Sequence, residues 1–140
     1  MSTRLTVLNA VIALVAGALP LAEVVGLTDD EDIATRIGSG GRIVVRAGDP
    51  GEPEIDLSPL SYNWQHRIPL EVIMGDEQQL DAALVKIGLA IGADRQLGGL
   101  CEWLDVDAPA TENVTIENAD ALRGAALTLT ASYATSNPLT

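Results

Sequence analysis

Three features of this 140-residue chain carry side chains that chemistry can use: a single histidine, His66; a single cysteine, Cys101; and the acidic run Asp29-Asp-Glu-Asp32. A histidine can serve near neutrality as a general base or a metal ligand. A nucleophile–histidine–acid set needs three groups held in one geometry. One histidine with no second one fixes no such spacing, so His66 reads as a polar member of a sheet row bonded to a neighbour. Cys101 becomes a nucleophile only where a nearby base or cation lowers its pKa. It lies between Leu100 and Glu102, and a free cysteine otherwise behaves as a small hydrophobe, which predicts a core or interface position.

A calcium loop alternates its oxygen ligands and carries glycine at a fixed offset. Four adjacent acids lack that spacing and read as a solvated helix start. Gly38-Ser-Gly-Gly41 has the glycines of a phosphate cradle but no lysine, and it leads through Arg42 into a strand rather than a helix. It reads as a hinge. Asn113-Val-Thr115 fits a glycosylation acceptor, which matters only in a secreted chain. Arg42, Arg46 and Arg67 are three of the eight cations, and they read either as isolated surface charges or as a patch for an acidic neighbour. No catalytic set, metal site or cofactor site is read.

The balance of charge narrows the partners. Twenty acids against eight bases give a net charge of −12. Affinity for DNA comes largely from lysine and arginine neutralising phosphates, so a nucleic-acid binder is disfavoured, as is an anionic membrane surface. The same charge suits a surface that DNA must pass without sticking. One cysteine excludes an intrachain disulfide and a multi-cysteine zinc site. With 47% hydrophobic residues, 3% aromatics and no phenylalanine, the core must be built from leucine, isoleucine, valine and alanine.

Residues 1–134 read as one domain and 135–140 as a polar tail. Arg4 precedes an apolar stretch, Leu5–Leu19, that has the outline of a secretion leader. Thr6 and Asn9 interrupt it, and Leu5, Leu8, Ile12, Val15 and Leu19 keep helical spacing, so it is expected to be an amphipathic core helix over Ser2–Leu19, ended by Pro20. Thr28-Asp-Asp-Glu31 has the form of a capping box, opening a short helix over Asp29–Ile37. Arg42–Ala47 is expected to be a strand. Gly48-Asp-Pro-Gly-Glu-Pro53 is turn chemistry, with Pro50-Gly51 suited to the centre of a type II turn, in a loop extending to Pro59.

Ser61–Met74 is the most informative stretch. Tyr62, Trp64, His66, Ile68, Leu70, Val72 and Met74 fall on one face of a strand; Asn63, Gln65, Arg67, Pro69 and Glu71 fall on the other. Pro69 removes a ladder donor, which predicts an edge or a bulge there. A second helix opens at Gly75-Asp76, with Leu80, Ala83, Leu84, Ile87 and Ile91 as its apolar stripe. Leu100–Val106 and Leu122–Ala134 are expected to be strands, with a polar loop between them that holds at most a short strand at Val114–Ile116. The expected fold is α+β, in the order α-β-β-α-β-β: a four-stranded mixed or antiparallel sheet with both helices on one face. A sheet face and edges left bare are a liability unless they form an interface, which predicts a homo-oligomer.

Taken in order, this pattern resembles the tail terminator (tail completion) proteins of long-tailed bacteriophages and prophages. The resemblance rests on the N-terminal apolar helix, Ala47-Gly-Asp-Pro-Gly-Glu-Pro53, Tyr62-Asn-Trp-Gln-His-Arg67, the helix Glu77–Ala93 with Leu97-Gly-Gly-Leu100 after it, and a closing strand ending Ser132-Tyr-Ala-Thr135. It implies a hexameric ring, without catalysis or cofactor, at the head-proximal end of the tail tube. That ring would stop tube polymerisation and dock onto the head–tail connector or stopper. DNA would pass only in transit through its lumen, and no membrane would be involved. Such a protein is made in the host cytoplasm and ends in the virion neck. Contacts with neighbouring copies, tube and connector are expected from Arg42, Arg46, Asp49, Pro50, Gly51 and Glu52, from Tyr62, Trp64 and Arg67, and from Tyr133 and Asn137. The alternatives are another connector or stopper of the neck, a small enzyme using Cys101 or His66, and a secreted bacterial protein.

Overall fold

Burial alternates along residues 64–74 with period two, as the apolar spacing requires: Trp64, His66, Ile68, Leu70, Val72 and Met74 are buried, while Gln65 and Arg67 are exposed. A computed structural model describes residues 1–27, 38–115 and 122–140. In chain order its elements are helix α1 (Thr3–Ala18), strands β1 (Glu23–Gly26), β2 (Arg42–Val45), β3 (Glu54–Leu57) and β4 (Leu60–Met74), helix α2 (Glu77–Ala93), and strands β5 (Trp103–Val106), β6 (Ala110–Val114) and β7 (Leu122–Thr135). The expected helix over Asp29–Ile37 lies outside the described residues.

The sheet has seven strands among the described residues, not four. Its spine is the antiparallel pair β4–β7, in register from Tyr62 opposite Thr135 to Met74 opposite Arg123. Short strands lie end to end on both sides. β3 and β2 pair with the two halves of β4, and β5 and β6 with two stretches of β7. β1 adds to β2 in parallel, so the sheet is mixed. The element order is therefore α-β-β-β-β-α-β-β-β.

Three strands escape a reading of the sequence because they are short and face little core. β1 spans four residues, β3 is exposed throughout, and β6 carries Glu112 and Asn113 on a mostly exposed strand that ends at Val114, where the expected strand begins; Ile116 of that expected strand lies outside the described residues. Their backbone bonds come from a longer neighbour rather than from an apolar face of their own. β5 begins at Trp103, not Leu100, because Leu97–Gly99 makes a 3₁₀ turn with Gly98 and Gly99 at φ 66° and 97°.

Both helices lie on one face of the sheet. Val7, Leu8, Val11 and Val15 of α1 and Leu80, Ala83, Ile87 and Ile91 of α2 join one core with the even-numbered β4 residues and Leu127, Leu129, Ala131 and Tyr133 of β7. Capping is local. The Ser2 hydroxyl accepts from the Leu5 amide, and the Asp76 carboxylate accepts from the Gln79 amide at 2.8 Å. The last residues fold back onto α1, where the Thr3 amide and hydroxyl donate to the Thr140 carbonyl oxygen at 2.8 and 3.0 Å.

Pro69 sits in the spine of the sheet, not at an edge, and the ladder beside it is bulged. Between the Val45–Leu70 pair and the Asp49–Arg67 bridge the outer chain advances four residues and β4 only three. The extra residue lies in Arg46-Ala47-Gly48, opposite the one β4 position without an N–H. Gly48 has φ 68°, and a Cβ there would stand 1.8 Å from the Arg67 carbonyl oxygen, so only glycine fits the bulge.

Candidate functional site

The bulge turns the Ala47 carbonyl inward, where His66 meets it. His66 Nε2 lies 2.7 Å from the Ala47 oxygen and Nδ1 lies 2.9 Å from the Tyr133 hydroxyl. A carbonyl can only accept, so Nε2 carries the proton, Nδ1 accepts, and Tyr133 donates. Desolvation lowers the His66 pKa below its ordinary value, and the Arg4 guanidinium adds to that; the Ala47 bond and Asp49 oppose it. Burial raises the Tyr133 pKa, so that hydroxyl keeps its proton. His66 is a neutral, fully buried ring with both nitrogens spent inside the fold. It is the polar member of a sheet row that its spacing suggests.

Cys101 is buried just before β5, with Sγ 3.5 Å from the Arg95 carbonyl oxygen. Burial raises its pKa, as do Asp94 and Glu102, against a backbone bond at Trp103. A thiol held protonated is a poor nucleophile. Among the described residues no group of three His, Cys, Asp or Glu side chains could hold a metal ion. The acidic run Asp29–Asp32 lies outside them. No helix among them is long and apolar enough to cross a membrane.

The structure brings some of the eleven contact candidates together: Trp64 lies opposite Tyr133 in the β4–β7 ladder, both line one hollow with Pro50, and Asp49 bridges Arg67. Arg42, Trp64 and Tyr133 are largely buried within the subunit. Trp64 stacks on Tyr62 with ring centroids 6.5 Å apart, and its Nε1 donates to the Thr135 hydroxyl at 3.0 Å. The three arginines share the sheet face away from the helices but differ in setting. Arg42 stands 4.0 Å from Glu23, and Arg46 forks onto both oxygens of Glu71 at 3.2 Å. Arg67 lies exposed on the sheet face away from the helices. Asp49 and Asn137 are committed to turns. Asp49 accepts from the Gly51 amide at 2.8 Å, with Gly51 at φ 72° as a type II turn needs, and Asn137 accepts from the Leu139 amide at 2.9 Å. Pro50, Gly51 and Glu52 remain at the surface. Asn113 of the glycosylation pattern accepts from Arg123 at 2.8 Å.

The surface that the sequence reading missed is the β3–β4 arm. Directly opposed residues of an antiparallel pair share a face, so Ile55 with Tyr62 and Leu57 with Leu60 make one apolar side, and Glu54 with Asn63 and Asp56 with Ser61 the polar one. Ile55, Leu57 and Leu60 are 53%, 82% and 50% exposed. This side continues the buried row of β4 past the point where the helices cover it. The signal was present as the alternation Glu54-Ile55-Asp56-Leu57, masked by its brevity and by Pro53 and Pro59 on either side. A second apolar surface that no described residue covers lies at the other end of β4: a hollow of about 340 Å³ between the end of α1 and α2, bordered by Leu21, which is 88% exposed, and by Lys86.

The candidate site is thus an exposed apolar surface at each end of the sheet's spine, built around a histidine consumed by the scaffold. A scan against protein-family models and a search of curated proteins both find no match to this chain.

Proposed function

We propose that this chain is a structural ring subunit of a long-tailed bacteriophage neck: a tail terminator that caps the tail tube, joins it to the head connector and lets DNA through. It acts by shape and contact, without catalysis. The observation that carries the reading is the bare apolar arm, with Leu57 82% exposed on a two-stranded extension. Such an extension is marginal alone in water and makes sense where another surface covers it. The sequence pattern that resembles tail terminators supports the choice of assembly. The net charge of −12 supports a lumen from which DNA is repelled rather than held.

The test adds purified chain to polymerising tail-tube protein from the same phage or prophage. Capping is expected to stop tubes at defined lengths and leave a ring of density at one end. Tubes that grow unchanged with no added density would contradict the reading.

A further inference from the structure

The arm and the hollow sit at opposite ends of the longest strand. The arm tip, Leu57 and Leu60, is where β4 begins; Met74, which lines the hollow, is where it ends. Fourteen residue steps at about 3.3 Å each separate these ends by roughly 46 Å, so an arm cannot enter the hollow of its own subunit. The hollow is apolar at its floor and sides, with Leu19, Leu21, Ala22, Met74 and Ala83 facing it. On its rim stands Lys86, the only lysine of the chain. Lys86 is exposed and has no ion-pair partner among the described residues. The arm alternates its apolar side chains with acids, Glu54 and Asp56, and the Glu54 carboxylate is likewise without a cation there.

We propose that the β3–β4 arm of one copy seats in the α1–α2 hollow of the next. Leu57 and Leu60 enter the hollow, and Glu54 and Asp56, on the arm's opposite, outward side, come level with the mouth of the hollow, where the long Lys86 side chain reaches them. The inference rests on the reading that copies of this chain assemble with one another, and it names the contact that joins them. Copies carrying a net charge of −12 repel each other, so a lone lysine at the mouth of an apolar hollow sets both which surface docks and how it is oriented. Because donor and receptor lie on different surfaces, the contact is heterologous. Repeated by rotation it closes into a ring when the angle permits and otherwise runs on as a filament.

Charge exchange tests the pairing on the full chain, read as mass distribution against concentration. Lys86→Glu and the Glu54→Lys/Asp56→Lys pair are each expected to raise the concentration for half-assembly by about tenfold, and all three together to bring it back near wild type. Leu57→Asp is expected to leave single subunits. All these side chains are exposed, and an unchanged thermal melt establishes that each variant is folded. Leu57→Asp assembling like wild type, or charge reversals that do not compensate, would overturn the arm contact while leaving the ring reading intact. A wild-type chain that stays single at every concentration would overturn the ring reading itself.

Discussion

His66 shows how a residue with catalytic credentials becomes part of a scaffold. Its Nε2–H closes on the Ala47 carbonyl, which the bulge has freed from the ladder, and its Nδ1 takes the Tyr133 proton. Each buried polar group thereby satisfies another, and leaving one unmatched costs about 1–3 kcal/mol. The sign of the pH response follows. The folded-state pKa lies below the ordinary 6.5, so the unfolded chain binds the proton first as pH falls. Stability from this group is complete above about pH 6.5 and declines below it, by up to about 1.4 kcal/mol per pH unit until the folded-state pKa is reached. Denaturant unfolding between pH 7 and 5 is expected to show this slope in the wild type. His66→Gln, whose amide can still donate to Ala47 and accept from Tyr133, is expected to lack that component. Parallel slopes for the two proteins would contradict the assignment.

The bulge is the element that makes this arrangement possible, and it depends on Gly48 and Pro69 together. Pro69 offers no N–H to a partner, so an added residue opposite it costs the ladder no donor. Gly48→Ala is expected to destabilise the fold by about 2 kcal/mol or more, because it adds a left-handed φ penalty to a clash with the Arg67 carbonyl. Thermal unfolding should fall by about 6 °C or more, and an unchanged midpoint would contradict the geometry. The bulge also shows how far the sequence could be read. Period-two alternation over a long run identifies β4 and β7, Ser2 and Asp76 mark both helix starts, and Pro69 announces an interruption. The apolar spacing of α1 was nearly right: the buried line runs through Val7, Leu8, Val11 and Val15, with Leu5 and Ile12 only partly covered. The short strands β1, β3 and β6 were not legible because their stability lies in backbone bonds to a neighbour, which leave no apolar period. Trp64 and Tyr133, contacts that the family resemblance implies, pack largely inside, where a chain without phenylalanine uses them as core.

At the scale of the whole molecule, one face of the sheet is closed by two helices and each end of its spine offers an apolar surface to solvent. In the proposed assembly this distribution favours association in line over association face to face. The acidic surface limits how closely copies approach, and an exposed cation such as Lys86 relieves that repulsion locally. The polar tail, which carries the expected contact residue Asn137, is tied to the start of α1 through Thr140, so the arm is the better place to look for contacts between copies. The most direct measurement is electron-microscopic imaging of the purified chain together with its mass in solution. Closed rings of a single copy number, with each projecting hairpin seated against the following subunit, are the predicted result. A homogeneous population of single subunits at high concentration, with the hairpin left in solvent, would contradict the account.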